Sequence, residues 1–379
     1  MNTTKITGIS KLVSFALIAV FLIIAVGFAA SGWQSDANSE PDSGGNGEQT
    51  ENTDENTDGS QNSGTENGDN SDSGEEAVKK YYSYLTGIEI SEEESRRKPI
   101  AFVIDPSAPT YAISSSDLAI ELPIENGETR VIAYMPSATP LGKIGSLAIS
   151  RPYISKMQDF FGGILVYNGM SEDESEYFPL WEKSDATLDL KAVSGYCYTE
   201  NTLYVYTNGD LINAGLNNSS VSTTVADLPT LPFTHALDGA SSTMRTESAQ
   251  SVIIPYSKTN ETSLSYSSED GLYTFAKSGT AVIDLLNART VKFKNVFILF
   301  ADSKMYYNKG GTSFEMNTVG SGDGYYISDG KLTHISWSQT ASLGELIFST
   351  SDGSRVVAEC GNTYIGYFIS THKDQVKVQ

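Results

Sequence analysis

The sequence predicts an α/β domain followed by a mostly antiparallel β domain, both carried behind an N-terminal transmembrane helix and a disordered acidic linker. Three observations predict it. Residues 12–30 are all apolar or small, and residues 32–77 hold almost nothing apolar. Beyond residue 78 strand-like and helix-like periods alternate, and past about residue 250 short strand-like runs dominate.

The run Leu12–Ala30 contains no charge, Asn, Gln or Pro. As a helix it spans roughly 28 Å, close to a full hydrocarbon core and longer than the usual core of a cleavable signal. Lys5 and Lys11 precede it and no acidic residue occurs before Asp36, which keeps the N-terminus cytoplasmic and sends the rest outward. Residues 1–31 therefore read as a signal anchor that holds the cell membrane through 12–30. A cleaved signal followed by secretion is the rival, because Gly27-Phe28-Ala29 and Ala29-Ala30-Ser31 offer small residues to a peptidase. Both readings place the folded part outside the cytoplasm.

Residues 32–77 carry thirteen acidic side chains, no Lys or Arg, and Trp33 as their one aromatic residue. Such a segment cannot bury enough surface to offset its ordering entropy, so it reads as a solvated spacer. As a flexible coil it would average roughly 35–40 Å end to end. A cation-binding or partner-binding tail is the lesser alternative.

The formal charge of the chain is −22, and residues 78–379 keep −11 of it, with 34 acidic against 23 basic side chains. Nucleic acid is excluded as a natural partner, and anionic lipids or wall polymers would need a bridging divalent cation. The two cysteines, Cys197 and Cys360, are either a disulfide that staples the two halves or two spare thiols. Three histidines and no CxxC or Cys/His cluster leave no metal or cofactor site to read.

The first domain is assigned to 78–255. Pro99–Asp105 predicts a buried strand. Asn126-Gly127 between two alternating segments predicts a hairpin. With a two-residue turn, Glu125 faces Glu128, Pro123 faces Arg130 and Glu121 faces Ile132. Ile120, Leu122, Ile124, Thr129, Val131 and Ala133 then share a core face. Glu121, Glu125, Glu128 and Arg130 share a polar one, with Arg130 within reach of Glu121 and Glu125. Tyr153, Met157, Phe160 and Phe161 recur at helical spacing. Ser150 or Arg151 stands at the cap, Pro152 in the first turn, and Gly162-Gly163 at the end. Ile164–Tyr167 reads as a strand, and Ser171–Lys183 and Asn208–Leu216 as helices.

The second domain is assigned to 256–379, with the textural change near 250–260. Its strands are expected at Ser251–Tyr256, Ser263–Tyr266, Leu272–Phe275, Val291–Phe300, Tyr325–Ile327 and Lys331–Trp337, with a short helix at about Thr280–Asn287. Gly320–Gly324 looks like a phosphate loop only superficially and reads as a tight loop before a strand.

An ordered string of pieces resembles the YerB-like lipoprotein family: Arg97-Lys98-Pro99-Ile100-Ala101, Ser116-Asp117-Leu118, Glu125–Arg130, Ser150-Arg151-Pro152-Tyr153, Lys294-Asn295-Val296 and Val319–Tyr326. The resemblance covers about 80–379. It implies an exported, usually lipid-anchored protein of mostly Gram-positive bacteria, in a family without an agreed biochemical function. The family's Gly-Pro-Val-Arg-Ser-Ala-Arg motif meets Ser146 in place of its Pro and Ala148 in place of its first Arg. Its next-strand His falls on Tyr167 or Asn168, and a later His-Asn pair on Leu203-Tyr204. The lipobox Cys is absent.

Glu121, Glu125, Arg130, Ser150, Arg151 and Tyr153 remain as candidate ligand-binding residues. Arg151 at a helix N-terminus could bind an anion or simply close a salt bridge. No catalytic residue is assigned. The expected function is a non-catalytic binding or assembly module at the cell envelope, its partner an envelope protein or wall ligand. The alternative is an enzyme or sensor that acts on an anionic wall-related ligand through Glu121, Glu125, Arg130 and Arg151.

Overall fold

The computed structural model describes residues 79–136, 141–171, 186–225, 234–237, 241–308, 311–339 and 345–379. The expected span at 12–30, the linker 32–77 and the expected helix 171–183 (beyond its first residue) lie outside them. Among the described residues no helix is long and apolar enough to cross a membrane.

The elements that build the molecule are, in chain order, β1 (Ile100–Ile104), β2 (Leu118–Pro123), β3 (Thr129–Met135), β4 (Lys143–Leu147), α1 (Pro152–Phe161), β5 (Ile164–Tyr167), β6 (Thr187–Asp189), β7 (Tyr198–Glu200), β8 (Tyr204–Asn208) and α2 (Gly209–Asn217). There follow β9 (Glu247–Ser248), β10 (Ser251–Pro255), β11 (Glu261–Ser267), β12 (Leu272–Lys277), β13 (Asn295–Ala301), β14 (Ser303–Asn308), β15 (Gly311–Met316), β16 (Gly320–Ser328), β17 (Lys331–Gln339), β18 (Ile347–Ser349), β19 (Thr363–Ile369) and β20 (Lys377–Val378).

Among the described residues strand dominates both the first expected domain, read from the sequence as α/β, and the second. One 14-stranded sheet runs in the order β9-β17-β16-β13-β19-β2-β3-β1-β4-β8-β7, with β18 beside β17, β5 beside β1, and β6 beside β5. β19, near the C-terminus, lies parallel to both β13 and β2 and so stitches the two halves into one sheet. It can sit there because Thr363–Phe368 is buried throughout, as a strand covered on both faces must be. A smaller sheet of six strands, including β20-β10-β11-β12, covers one face. Its Val252, Ile254, Leu264 and Phe275 pack with Val131, Ala133 and Ile298 of the large sheet. The opposite face packs Tyr153, Ile154, Met157 and Phe161 of α1 against Ile120, Leu122 and Ile132.

The helix at 152–161 forms as its spacing predicts, with Pro152 first and Arg151 as an extended N-cap. Asn208 caps α2, its Oδ1 accepting the Leu211 N–H at 2.9 Å.

Two expectations change, and of the two alternatives left open for the cysteines the spare thiols are the one realised. Residues 280–287 form strand pieces at 280–281 and 283–284, the latter hairpinned with 289–290, instead of a helix. The Asp284 carboxylate holds that turn, accepting N–H groups from Ala112, Ser114 and Leu286 at 2.9 Å each. Gly320–Gly324 is the first half of β16, not a loop. A Cβ at Gly322 would strike the Phe300 carbonyl and the Trp337 indole, so glycine lets neighbouring strands close there. Cys197 and Cys360 are not joined: the Cys197 Sγ lies 3.8 Å from the Leu190 carbonyl and the Cys360 Sγ meets that of Ala236.

The 126–127 hairpin also shifts by one residue. Asn126 and Gly127 take the left-handed backbone that the pair predicts, with φ of 60° and 72°. Glu125 joins the turn, and Ile124 donates to the Glu128 carbonyl at 2.8 Å. Asn260 Nδ2 clamps the Gly127 carbonyl at 2.8 Å, and Ser257 sits where a Gly127 side chain would be. Glu121 therefore faces Val131, and Leu122 faces Arg130. In a strand of period two, a one-residue slip moves a side chain to the other face. Neither face of this hairpin is a solvated polar face.

Candidate functional site

The slip divides the six candidate residues into two groups on opposite faces of the large sheet. Arg151 and Glu125 form the centre of the first. Arg151 Nε lies 3.2 and 3.1 Å from the two Glu125 oxygens, Nη2 donates to Oε2 at 2.7 Å, and Nη1 donates to the Ser150 carbonyl at 3.2 Å. Glu125 Oε1 also accepts the Phe314 N–H at 3.2 Å. One carboxylate thus ties the β2–β3 turn to the start of α1 and to β15. Burial alone would raise the pKa of Glu125. The hydrogen bond and charge of Arg151, with backbone donors, outweigh it and hold the carboxyl below its ordinary range.

Arg130 lies in the same neighbourhood. Its Nη1 donates to the Thr129 carbonyl at 2.8 Å and stands 3.5 Å from Asp105 Oδ2. Burial first, then the charge of Arg151, lowers its pKa, while Asp105 works the other way. Tyr153 donates its hydroxyl to the Pro123 carbonyl at 2.8 Å, and its ring meets Phe314 edge-on. Ser150 is buried, with its Oγ 2.9 Å from that of Ser155. Arg151, Ser150, Tyr153, Arg130 and Glu125 thus come together.

Glu121 does not join them. It points into the layer between the two sheets, fully buried, and accepts four hydrogen bonds there. Lys277 Nζ and Thr129 Oγ1 donate to Oε1 at 2.7 Å each. Thr262 Oγ1 and the Tyr364 hydroxyl donate to Oε2 at 2.8 and 2.6 Å. Lys277 also donates to Thr262 at 2.9 Å and stands 5.3 Å from the Tyr256 ring centre. Burial, with the Glu121 charge, drives the pKa of Tyr256 and Tyr364 well above the ordinary phenol value. Both remain neutral, and Tyr364 can serve as a donor.

Lys277 and Thr262 were absent from the sequence-derived set, although a signal for them exists. Lys277 falls in phase with the inward-facing Tyr273 and Phe275 of β12, and Thr262 with Leu264 of β11. A lysine at an inward strand position calls for a buried counter-charge. Asp105, the partner of Arg130, carries no comparable signal.

Beside Glu125 opens a cleft of about 270 Å³, walled mainly by Ile124, Tyr256, Met305, Phe314, Phe368 and Ile369. Its apolar walls come from the β2–β3 turn, the β14–β15 hairpin and the end of β19, and Glu125 is part of its lining. Such a cleft can receive an apolar group, with Glu125 and the turn backbone as polar neighbours. Elsewhere, burial raises the Asp117 carboxyl to about 6, and Ser83 Oγ stands 3.4 Å from it. Among the described residues no group of His, Cys, Asp and Glu is placed to hold a metal ion.

Comparison with known proteins bears on both halves. The N-terminal domain of a protein family of unknown function, DUF3048, matches residues 85–222, and the C-terminal domain of the same family matches 252–365. The chain belongs to this YerB-like family. YerB of Bacillus subtilis (strain 168), whose name provisionally calls it a lipoprotein, is 22% identical over 307 residues, or 78% of this chain and 88% of that protein. The crystal structure of YerB from Bacillus subtilis matches with a TM-score of 0.66 at 19% identity, over 79% of this chain and 99% of that one. That likeness establishes the YerB fold here.

Proposed function

We propose that this YerB-like chain is a membrane-tethered, extracytoplasmic binding module that holds an apolar group of its partner in the cleft beside Glu125. The observation that carries this reading is the state of the polar candidates. Glu121 is neutralised by Lys277 and three hydroxyls, and Glu125 by Arg151, so their charges serve the fold. The cleft, by contrast, is open and apolar. Ala148, where relatives are expected to carry an arginine, is buried in the α1 layer. The apolar run at 12–30 and the acidic spacer support display at a membrane.

Thermal melting of the full-length protein with N-acetyl-tryptophanamide tests the cleft. A ligand that binds the native state alone raises the melting point. The expected rise disappears in Thr312→Trp, which fills the cleft. No rise, or an equal rise in Thr312→Trp, contradicts the proposal.

A further inference from the structure

The β14–β15 hairpin forms a two-stranded sheet of its own, with no third strand beside it among the described residues. Its hydrogen-bonding pattern can be read from two bonds. The Phe314 N–H goes outward to Glu125, and the Asn317 N–H goes to the Asp302 carbonyl. In an antiparallel ladder such pairs alternate. Met305–Phe314 is therefore a pair without ladder bonds, and so are Ser303–Met316 and Tyr307–Thr312. It follows that Ser303, Met305 and Tyr307 turn their N–H and C=O groups to the outer edge of β14.

The side chains follow the same alternation. Met305, Tyr307, Phe314 and Met316 occupy one face. Phe314 and Met316 are buried against the body, whereas Met305 is 57% and Tyr307 79% exposed. Met305 forms part of the cleft wall. An open strand edge, two exposed apolar side chains and an apolar cleft thus meet at one place. Native edge strands are ordinarily blunted by charges, prolines or a covering element. On β14 the one charge is Lys304.

We infer that β14 is a docking edge for an extended peptide segment of a partner protein, basic-apolar in composition, which adds as a third strand and places alternate apolar side chains in the cleft. This deepens, and rests on, the reading of the cleft as the binding site. The row of backbone groups that no described residue pairs selects a polypeptide, because only another strand offers matching donors and acceptors. Charge sets the composition: Lys304 stands opposite Glu315 in the hairpin register, so the charge left to act on the segment is the −11 of the folded part, which attracts alternate lysines on its outward face and repels alternate glutamates.

The test uses the full-length protein and the peptide acetyl-Lys-Val-Lys-Phe-Lys-Val-Lys-amide. Binding is followed by fluorescence anisotropy and by hydrogen exchange at the Met305 and Tyr307 amides. The inference expects slowed exchange at both amides and at least tenfold weaker binding of the glutamate analogue. It also expects at least tenfold loss with Met305→Pro, which an edge strand tolerates where its N–H faces outward. A peptide methylated at alternate backbone nitrogens must lose affinity equally, whatever the variant does to the fold. Absence of peptide binding overturns the inference, as does dimerisation of the chain through β14 or binding to phosphatidylglycerol vesicles that protects these amides instead. If the peptide protects the cleft but leaves the β14 amides unchanged, the strand inference fails while the cleft reading stands.

Discussion

The Glu121 carboxylate and the Lys277 ammonium, 156 residues apart, meet at 2.7 Å between the two sheets of the molecule. Each is buried, and each completes its bonding with hydroxyls from Thr129, Thr262 or Tyr364. The pair therefore fixes how the small sheet sits on the large one. A polar residue that looks like an exposed acid in the sequence is an anchor in the core.

Removing one partner strands the other. Lys277→Met should destabilise the protein by about 3–5 kcal/mol, because Glu121 is left charged and buried. The double variant Glu121→Gln/Lys277→Met should recover a good part of that loss. Urea denaturation of the three proteins checks this, and a double variant no better than Lys277→Met would refute it.

The Glu125–Arg151 pair makes a pH-dependent contribution. The folded pKa of Glu125 lies below its unfolded value of about 4.3, so the contribution is complete above that pH. It is lost as the pH falls through the folded value. The stability difference between the native protein and Arg151→Ala should therefore be constant from about pH 6 upward and shrink below about pH 4. Melting points across that range give the answer, and a difference independent of pH contradicts it.

Asp117 behaves in the opposite sense. Its folded pKa is raised by burial to about 6, so the folded state binds the proton more tightly than the unfolded chain. Stability then falls as the pH rises from about 4 to about 6, and stays lower above. Asp117→Asn should remove that slope and be more stable at pH 7 by on the order of 2 kcal/mol. Equal pH profiles for the two proteins would sink this assignment.

Gly322→Ala tests the strand that replaces the expected loop. The added methyl meets the Phe300 carbonyl, which accepts the Trp337 indole N–H at 2.9 Å. Overpacking of a close strand contact costs about 1–3 kcal/mol, and a disturbed buried hydrogen bond adds to it. Urea denaturation of Gly322→Ala reads the loss. An unchanged stability would show that β16 is not closely packed there.

The tether has its own test. Mass spectrometry of the membrane-bound form should find the residues before Ser31 intact. A mature N-terminus near Ala30–Gly32 would show a cleaved signal instead.

Much of the secondary structure was legible because the apolar period is locally written. The 152–161 helix and the 164–167 strand stand where the spacing of Tyr153, Met157 and Phe161 and the run Ile164–Tyr167 put them. Long-range facts were less legible. The turn at Asn126-Gly127 takes three residues because Asn260 and Ser257, far along the chain, hold it. That one-residue difference decides which face carries Glu121. Five of the six candidate site residues gather at one place, since Arg151, Ser150 and Tyr153 share a helix start and Glu125 and Arg130 a nearby hairpin. The cleft was not legible, because its walls come from residues 124, 256, 305, 314 and 368. The helix expected at 280–287 failed because Asp284 caps a tight turn against residues 112–114.

The central claim is that the charged pairs serve the fold and that recognition belongs to the cleft. The most direct measurement compares the affinity of the basic-apolar peptide for Thr312→Trp and for Arg130→Gln. The account predicts that Thr312→Trp loses binding by at least tenfold while Arg130→Gln keeps it within about twofold. Loss in Arg130→Gln with binding retained in Thr312→Trp would contradict the account and return the polar cluster to the site.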